Sequence, residues 1–203
     1  MLTLYYYPGA CSLAPHIILE EGGFEFELNA VDLYQKTTES GGDFLAINPK
    51  GCVPVLAWED GTVLTEVGAI LQYLGDQVPE KGLVPEAGTM DRYRLQETLS
   101  YLSSEIHKLF GALYHPEIPD QYKEETKKTI LSRLAYLSGQ LGDRDYLMGE
   151  TYTVADAYLF ALLGFTTHFG IEIAADSPLL TYMGRVANRR AVVNALRKEG
   201  LIE

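Results

Sequence analysis

Apolar and polar positions follow two rhythms along this chain, and the change of rhythm divides it. Up to about residue 78 the apolar runs are short and alternate in type. Leu2–Tyr7 is an aromatic-rich run that predicts a strand, stopped by Pro8 and Gly9. Ser12 is a candidate N-cap, and the apolar run that follows predicts a helix over Leu13–Glu21. Phe26–Val31 alternates apolar and polar residues and predicts a second strand. Gly41–Ile47 reads as a short helix and Asn48-Pro49-Lys50-Gly51 as a turn. Val53–Trp58 and Thr62–Leu64 flank Glu59-Asp60-Gly61, a hairpin signal. From Glu66 onward, Val67, Ile70, Leu71 and Leu74 recur at helical spacing. The predicted order is βαβαββα in a small mixed sheet.

Residues 79–88 carry two Pro and two Gly and predict a linker. Strand signals then vanish. Arg92–Leu113 is one long helical pattern ended near Pro116, and Asp120–Leu141 is another. Val154–Phe165 is apolar all round, which predicts a buried helix. Leu179–Ala187 and Ala191–Lys198 predict two shorter helices. The expected organisation is an α/β domain over residues 1–80, a linker over 81–87 and an all-helical domain over 88–203.

At 203 residues and 47% apolar content, the chain has enough material for two cores. The formal charge of −12, with no block of Lys or Arg, argues against binding nucleic acid through a basic patch. No stretch reads as a signal peptide or as a membrane span. Two cysteines do not make a disulfide framework, so a reducing, cytoplasmic setting is expected.

Candidate chemistry starts at Cys11. It lies on the turn between a strand's end and a helix's start, near unpaired backbone N–H groups and the positive end of the helix dipole. Both favour thiolate, although a small apolar Cys filling the junction fits the position equally well. Pro54 stands at the mouth of an apolar strand, where it marks a strand start or a special turn. Cys52 lies one residue before Val53, so the two side chains point to opposite sides of the strand. Ser100, Ser104 and His107 lie at i, i+4 and i+7 and would share one face of an α-helix. His107 is then either a surface His with one hydrogen bond or a proton carrier. Thr153-x-x-Asp156 is a capping-box pattern ahead of the apolar helix. His16, His115 and His168 belong to no motif and read as structural, and no His/Cys/carboxylate spacing suggests a metal site.

A thiol on a strand–helix turn and a Val-Pro before the third strand resemble a thioredoxin-like domain, in which that Pro is cis. The resemblance continues through Asn48-Pro49-Lys50-Gly51-x-Val53-Pro54-Val55-Leu56 and Leu64-Thr65-Glu66. It extends to Ser104-Glu105-Ile106-His107, Thr153-Val154-Ala155-Asp156-Ala157-Tyr158 and Glu199-Gly200-Leu201-Ile202. Taken together these segments resemble a cytosolic glutathione S-transferase of the bacterial beta class, over essentially the whole chain.

That resemblance implies glutathione as co-substrate, a small hydrophobic electrophile, a homodimer and no metal. It implies that Cys11 contacts the glutathione sulfur and can form a mixed disulfide with it, with Ser12 and Tyr6 assisting. Tyr6 is otherwise a core aromatic. Val53 would pair its backbone with the glutathione cysteinyl unit, at an angle set by Pro54. The helix start at Val67 would hold the γ-glutamyl carboxylate, and Glu66 the amino group beside it. Lys36 would pair with the glycine carboxylate, or else is a solvated surface Lys. Ser100, Ser104 and His107 would face the cleft between the domains, with His107 toward Cys11. Phe110, Tyr114, Phe165 and Phe169 are candidates for the electrophile's walls. The rival functions are a glutathione-dependent thiol transferase or dehalogenase on the same scaffold, and a non-catalytic carrier of hydrophobic ligands.

Overall fold

Strand β1 (Leu2–Tyr6) forms because its apolar and aromatic residues suit a pleated, half-buried position, and Pro8 with Gly9 ends it. In the computed structural model, which describes residues 1–203, β1 is the centre of a five-stranded sheet. Helix α1 (Leu13–Gly22) crosses over to β2 (Phe26–Asp32), which pairs parallel to β1 with Leu2 opposite Phe26. A two-residue strand β3 (Thr37–Thr38) returns antiparallel along β2. After helix α2 (Phe44–Ile47), β4 (Val55–Trp58) pairs antiparallel to the other edge of β1, and β5 (Val63–Thr65) closes the hairpin on β4. Helix α3 (Val67–Gln77) follows. The sheet order is β3-β2-β1-β4-β5. The sequence pattern predicts every one of these elements except β3, which is too short to show a period. The mixed sheet with its flanking helices is the thioredoxin-like half of the expected fold.

Pro79–Lys81 forms a single 3-10 turn, and the rest of the chain to Ala187 is helical. Helix α4 (Met90–Tyr101) starts at Thr89, whose hydroxyl accepts from the Arg92 N–H. It continues without a break through a π-helical turn at Leu102–His107 into α5 (Lys108–Leu113). Helix α6 (Asp120–Leu141) and the buried α7 (Val154–His168) follow, then α8 (Pro178–Ala187). No helix is long and apolar enough to cross a membrane.

The chain packs as two compact units, Met1–Leu83 with Asn188–Glu203, and Val84–Ala187. The last helix, α9 (Arg190–Lys198), therefore departs from the expected helical block of residues 88–203 and belongs with the first unit. The reason lies on α1. Ala191, Val192 and Ala195 of α9 are buried, while Lys198 pairs with Glu20 at 2.6 Å and Arg189 with Glu21 at 2.5 Å. Those partners are about 170 residues away in sequence, beyond the reach of any local pattern.

In the second unit the capping box at Thr153 is realised and enlarged. Asp156 is fully buried, and its carboxylate accepts from the Thr153 N–H at 2.7 Å and the Thr153 hydroxyl at 3.1 Å. It also accepts from the Leu147 N–H at 2.9 Å and the Tyr182 hydroxyl at 3.0 Å. One side chain thus joins the start of α7 to the preceding loop and to α8.

Candidate active site

Residues 7–12 form a tight turn from β1 into α1. Ser12 does not cap α1 as the sequence predicts. It is already in helical conformation, and its hydroxyl turns back instead, donating to the Tyr7 carbonyl and accepting from the Tyr7 N–H, both at 3.2 Å. Completely buried, it ties the end of the strand to the start of the helix. Gly9, with φ of 71°, gives the turn its left-handed residue. A Cβ there would stand 3.5 Å from the Leu201 side chain, so the C-terminal residues lie directly over the turn.

Glu199 anchors the same turn from the far end of the chain. One carboxylate oxygen accepts from the Gly9 N–H at 2.8 Å, and the other lies 2.8 Å from His16 Nδ1. Both side chains are wholly buried. His16 thus has a specific partner that no local motif announces. Tyr6 is buried with its ring edge-on to His16, and burial raises its pKa, with the Glu199 charge adding to the rise. These contacts are those of a core aromatic.

At Cys11 burial decides between the two readings that the sequence leaves open. The Cys11 thiol donates to the Val53 carbonyl at 3.4 Å. Burial pushes its pKa up to about 12, and the lowering by the Cys11 and Ser12 backbone N–H groups only partly offsets this. The helix start does favour the thiolate, as expected. Desolvation acts in the opposite direction and wins, so Cys11 is a neutral thiol at pH 7. Cys52 is also a free thiol but is exposed, its Sγ directed at the Lys50 carbonyl at 3.3 Å. Val53 is buried with Val31, Phe44 and Val55, whereas Cys52 is exposed. The Val53–Pro54 peptide is cis.

Two residues in the chain other than glycine have positive φ, Lys36 at 58° and Glu66 at 72°. Both are sequence candidates for ligand binding, and such conformations concentrate at binding and catalytic positions. The Lys36 ammonium donates to the Gly51 carbonyl at 2.9 Å. Glu66 is the N-cap of α3, with Val67 as its first residue. The first N–H groups of a helix have no intrahelical acceptor and attract anions. Lys50, absent from the sequence candidates, donates to the Glu66 carboxylate at 2.6 Å and to the Thr65 hydroxyl at 2.7 Å. Asn48 shapes the Asn-Pro-Lys-Gly turn beneath it, donating to the Cys52 carbonyl at 2.7 Å and accepting from the Lys50 N–H at 3.2 Å. The turn composition was legible in the sequence, but the lysine's partner was not.

In the second unit, Ser100 and Ser104 are exposed and His107 is half-buried. The stripe expected of them assumes α-helical turns. The π turn at Leu102–His107 takes an extra residue per turn, so the stripe does not continue in α-helical register to His107. His107 Nδ1 lies 2.8 Å from the Tyr158 hydroxyl, a residue 51 positions away that sequence reasoning passed over. Its ring also lies 6.1 Å from that of Phe165. Phe165 meets Phe110 at 5.3 Å, and Tyr114 meets Phe169 at 4.7 Å, so the four candidate wall residues form one aromatic cluster beside His107. No group of three or more His, Cys, Asp or Glu side chains is placed to hold a metal ion.

Family models for the glutathione S-transferase N-terminal and C-terminal domains match residues 9–77 and 101–189. The chain is 42% identical to glutathione S-transferase GstA of Escherichia coli O157:H7 over 200 residues, covering 98% of this chain and 100% of that protein. Among solved structures, a sphingomonad glutathione S-transferase complexed with glutathione superposes with a TM-score of 0.94 at 46% identity, covering 98% of this chain and 100% of the other. A bacterial beta class glutathione S-transferase from Sphingomonas chungbukensis superposes with a TM-score of 0.95 at 44% identity, with the same coverage.

Proposed function

This chain belongs to the glutathione S-transferase family, with bacterial beta-class enzymes among its structural neighbours, and we propose that it joins glutathione to small hydrophobic electrophiles. The observation that carries this reading is the Cys11 thiol bonded to the Val53 carbonyl. It sets a thiol beside the residue whose backbone a bound peptide would pair with. Lys36 and Glu66, held in left-handed conformation, supply one charge of each sign in the same unit. Glutathione carries two carboxylates and one ammonium. In this reading its glycine carboxylate goes to Lys36, its γ-glutamyl carboxylate to the Val67 helix start, and its amino group to Glu66.

The attacking sulfur is that of glutathione. Its thiolate forms a C–S bond to the electrophilic carbon, the leaving group departs with the bonding electrons, and the thiol proton passes to solvent. In this reading Cys11 turns its single S–H from the Val53 carbonyl to the glutathione sulfur when glutathione binds. Burial pushes the Cys11 pKa up to about 12 and so favours the neutral thiol at pH 7. A mixed disulfide at Cys11 is therefore slow to form, and conjugation is favoured over thiol–disulfide exchange. Tyr114, exposed, and Phe169, half-buried, offer the apolar surface that a hydrophobic electrophile would take, backed by the buried rings of Phe110 and Phe165. We further read the enzyme as a homodimer in a reducing, cytoplasmic setting.

The test is retention on immobilised glutathione, then turnover with a chloro-dinitrobenzene electrophile. Retention and turnover are expected. Retention without turnover would turn the reading toward a carrier, and neither would overturn it. Val67→Pro tests the anion site, because proline is tolerated at a first helical position but removes the N–H. The KM for glutathione should rise about tenfold, near the value of one charge-assisted hydrogen bond.

A further inference from the structure

Tyr158 lies on α7, only 1% exposed, amid the most apolar helix of the chain. Its hydroxyl meets His107 Nδ1 at 2.8 Å, and the two rings cross edge to face, 5.8 Å apart at 89°. Phe165 lies against the same imidazole, its ring centroid 6.1 Å away. His107 closes the π turn, where the backbone departs from α-helical register and one more residue enters the turn. Such turns collect at functional sites. A half-buried imidazole is thus held by two aromatic rings and one oriented hydroxyl.

We propose that Tyr158 is a positioning residue that fixes the His107 tautomer, so that His107 acts as a hydrogen-bond donor through Nε2–H and not as a general base. A phenol is a good donor, and the unprotonated imidazole nitrogen is a strong acceptor. With Tyr158 donating to Nδ1, the single proton of neutral His107 resides on Nε2. The partner of one ring nitrogen sets the role of the other. His107 then offers an N–H to the anion departing from an electrophile held at the aromatic cluster beside it, and its basic nitrogen is already occupied. Nothing in the local sequence around His107 could assign this, because the controlling group lies 51 residues away.

The kinetic part of this proposal rests on the reading of His107 as a site residue, and the experiment separates the two. The full-length protein is labelled with ¹⁵N-histidine, and the ring nitrogens are read by long-range ¹H–¹⁵N correlation. His107→Leu assigns its signals among the four histidines. The wild type should show His107 as the Nε2–H tautomer at neutral pH. Tyr158→Phe keeps the buried ring and removes only the hydroxyl. It should yield a mixture of tautomers and lower kcat about 3- to 10-fold, the worth of one neutral hydrogen bond, with the KM for glutathione unchanged. An unaltered Nε2–H tautomer in Tyr158→Phe would overturn the proposal. So would a released tautomer with wild-type kcat where His107→Leu is strongly impaired. Wild-type kcat in His107→Leu would overturn instead the reading on which the kinetic role rests. If Tyr158→Phe folds poorly, the wild-type tautomer still decides: an Nδ1–H form would refute the assignment.

Discussion

Replacing Asp156 by alanine removes the acceptor for four hydrogen bonds at once. The donors are the Thr153 N–H and hydroxyl, the Leu147 N–H and the Tyr182 hydroxyl, at 2.7 to 3.1 Å. Each buried donor left unpaired costs about 1–3 kcal/mol. Two effects reduce the sum. Tyr182 keeps a second acceptor in the Asp156 main-chain carbonyl at 3.3 Å, and the vacated carboxylate volume can admit a water. The buried carboxylate was also costly, since desolvation raises its pKa despite the hydrogen bonds that lower it. We expect a net loss of about 3 kcal/mol or more, against about 1 kcal/mol for an ordinary exposed cap. Asp156→Asn should recover little of it, because its amide NH₂ would face a donor on one side. Thermal melting, paired with denaturant titration at unchanged m, measures the loss. The pKa shift adds a signature with a definite sign. A carboxyl whose folded pKa is raised binds protons more tightly when folded. Its contribution is therefore full below the unfolded value of about 3.9 and falls as pH rises through the folded value. The Tm gap between wild type and Asp156→Ala should narrow as pH is raised from about 4 toward 7. A loss below about 1 kcal/mol, or a gap that widens over that range, would refute the reasoning.

Three further outcomes follow from the first unit. Iodoacetamide at neutral pH should label exposed Cys52 long before buried Cys11, with Cys11 reacting only in denaturant; peptide mass spectrometry reads the order, and equal rates would contradict a Cys11 pKa of about 12. Glu199→Gln replaces one of the two acceptor oxygens that hold Gly9 and His16 with a donor, so Tm should fall by a loss of about 1–3 kcal/mol and the KM for glutathione should rise. Lys50→Met breaks an ion pair whose side chains are 53% and 70% exposed, so stability should change by less than about 1 kcal/mol; a larger drop in Tm would mean the pair is more than a screened surface contact.

The sequence by itself determined most of the secondary-structure elements and named the candidate residues of the site. Strand and helix periods, the Pro8-Gly9 stop, the Asp60-Gly61 hairpin and the Thr153–Asp156 cap are local signals, each fulfilled within a few residues of chain. Local spacing also placed Cys11, Val53, Pro54 and Glu66 where a thiol, a strand start and a helix start belong. What the tertiary structure decided was the state and partner of each such group. The sequence leaves Cys11 open between a thiolate and an apolar filler, and packing buries it as a thiol. Ser12 reads as a cap and instead ties the strand end to the helix start. β3 and the π turn leave no periodic trace, the one too short and the other a single departure from helical register. Glu199 reaches Gly9 across 190 residues, Lys50 reaches Glu66 across 16, and Tyr158 reaches His107 across 51. Protonation and hydrogen bonding depend on distance and solvent exposure in space. Only the folded chain specifies those, and so it alone shows which candidates become donors, acceptors or anchors.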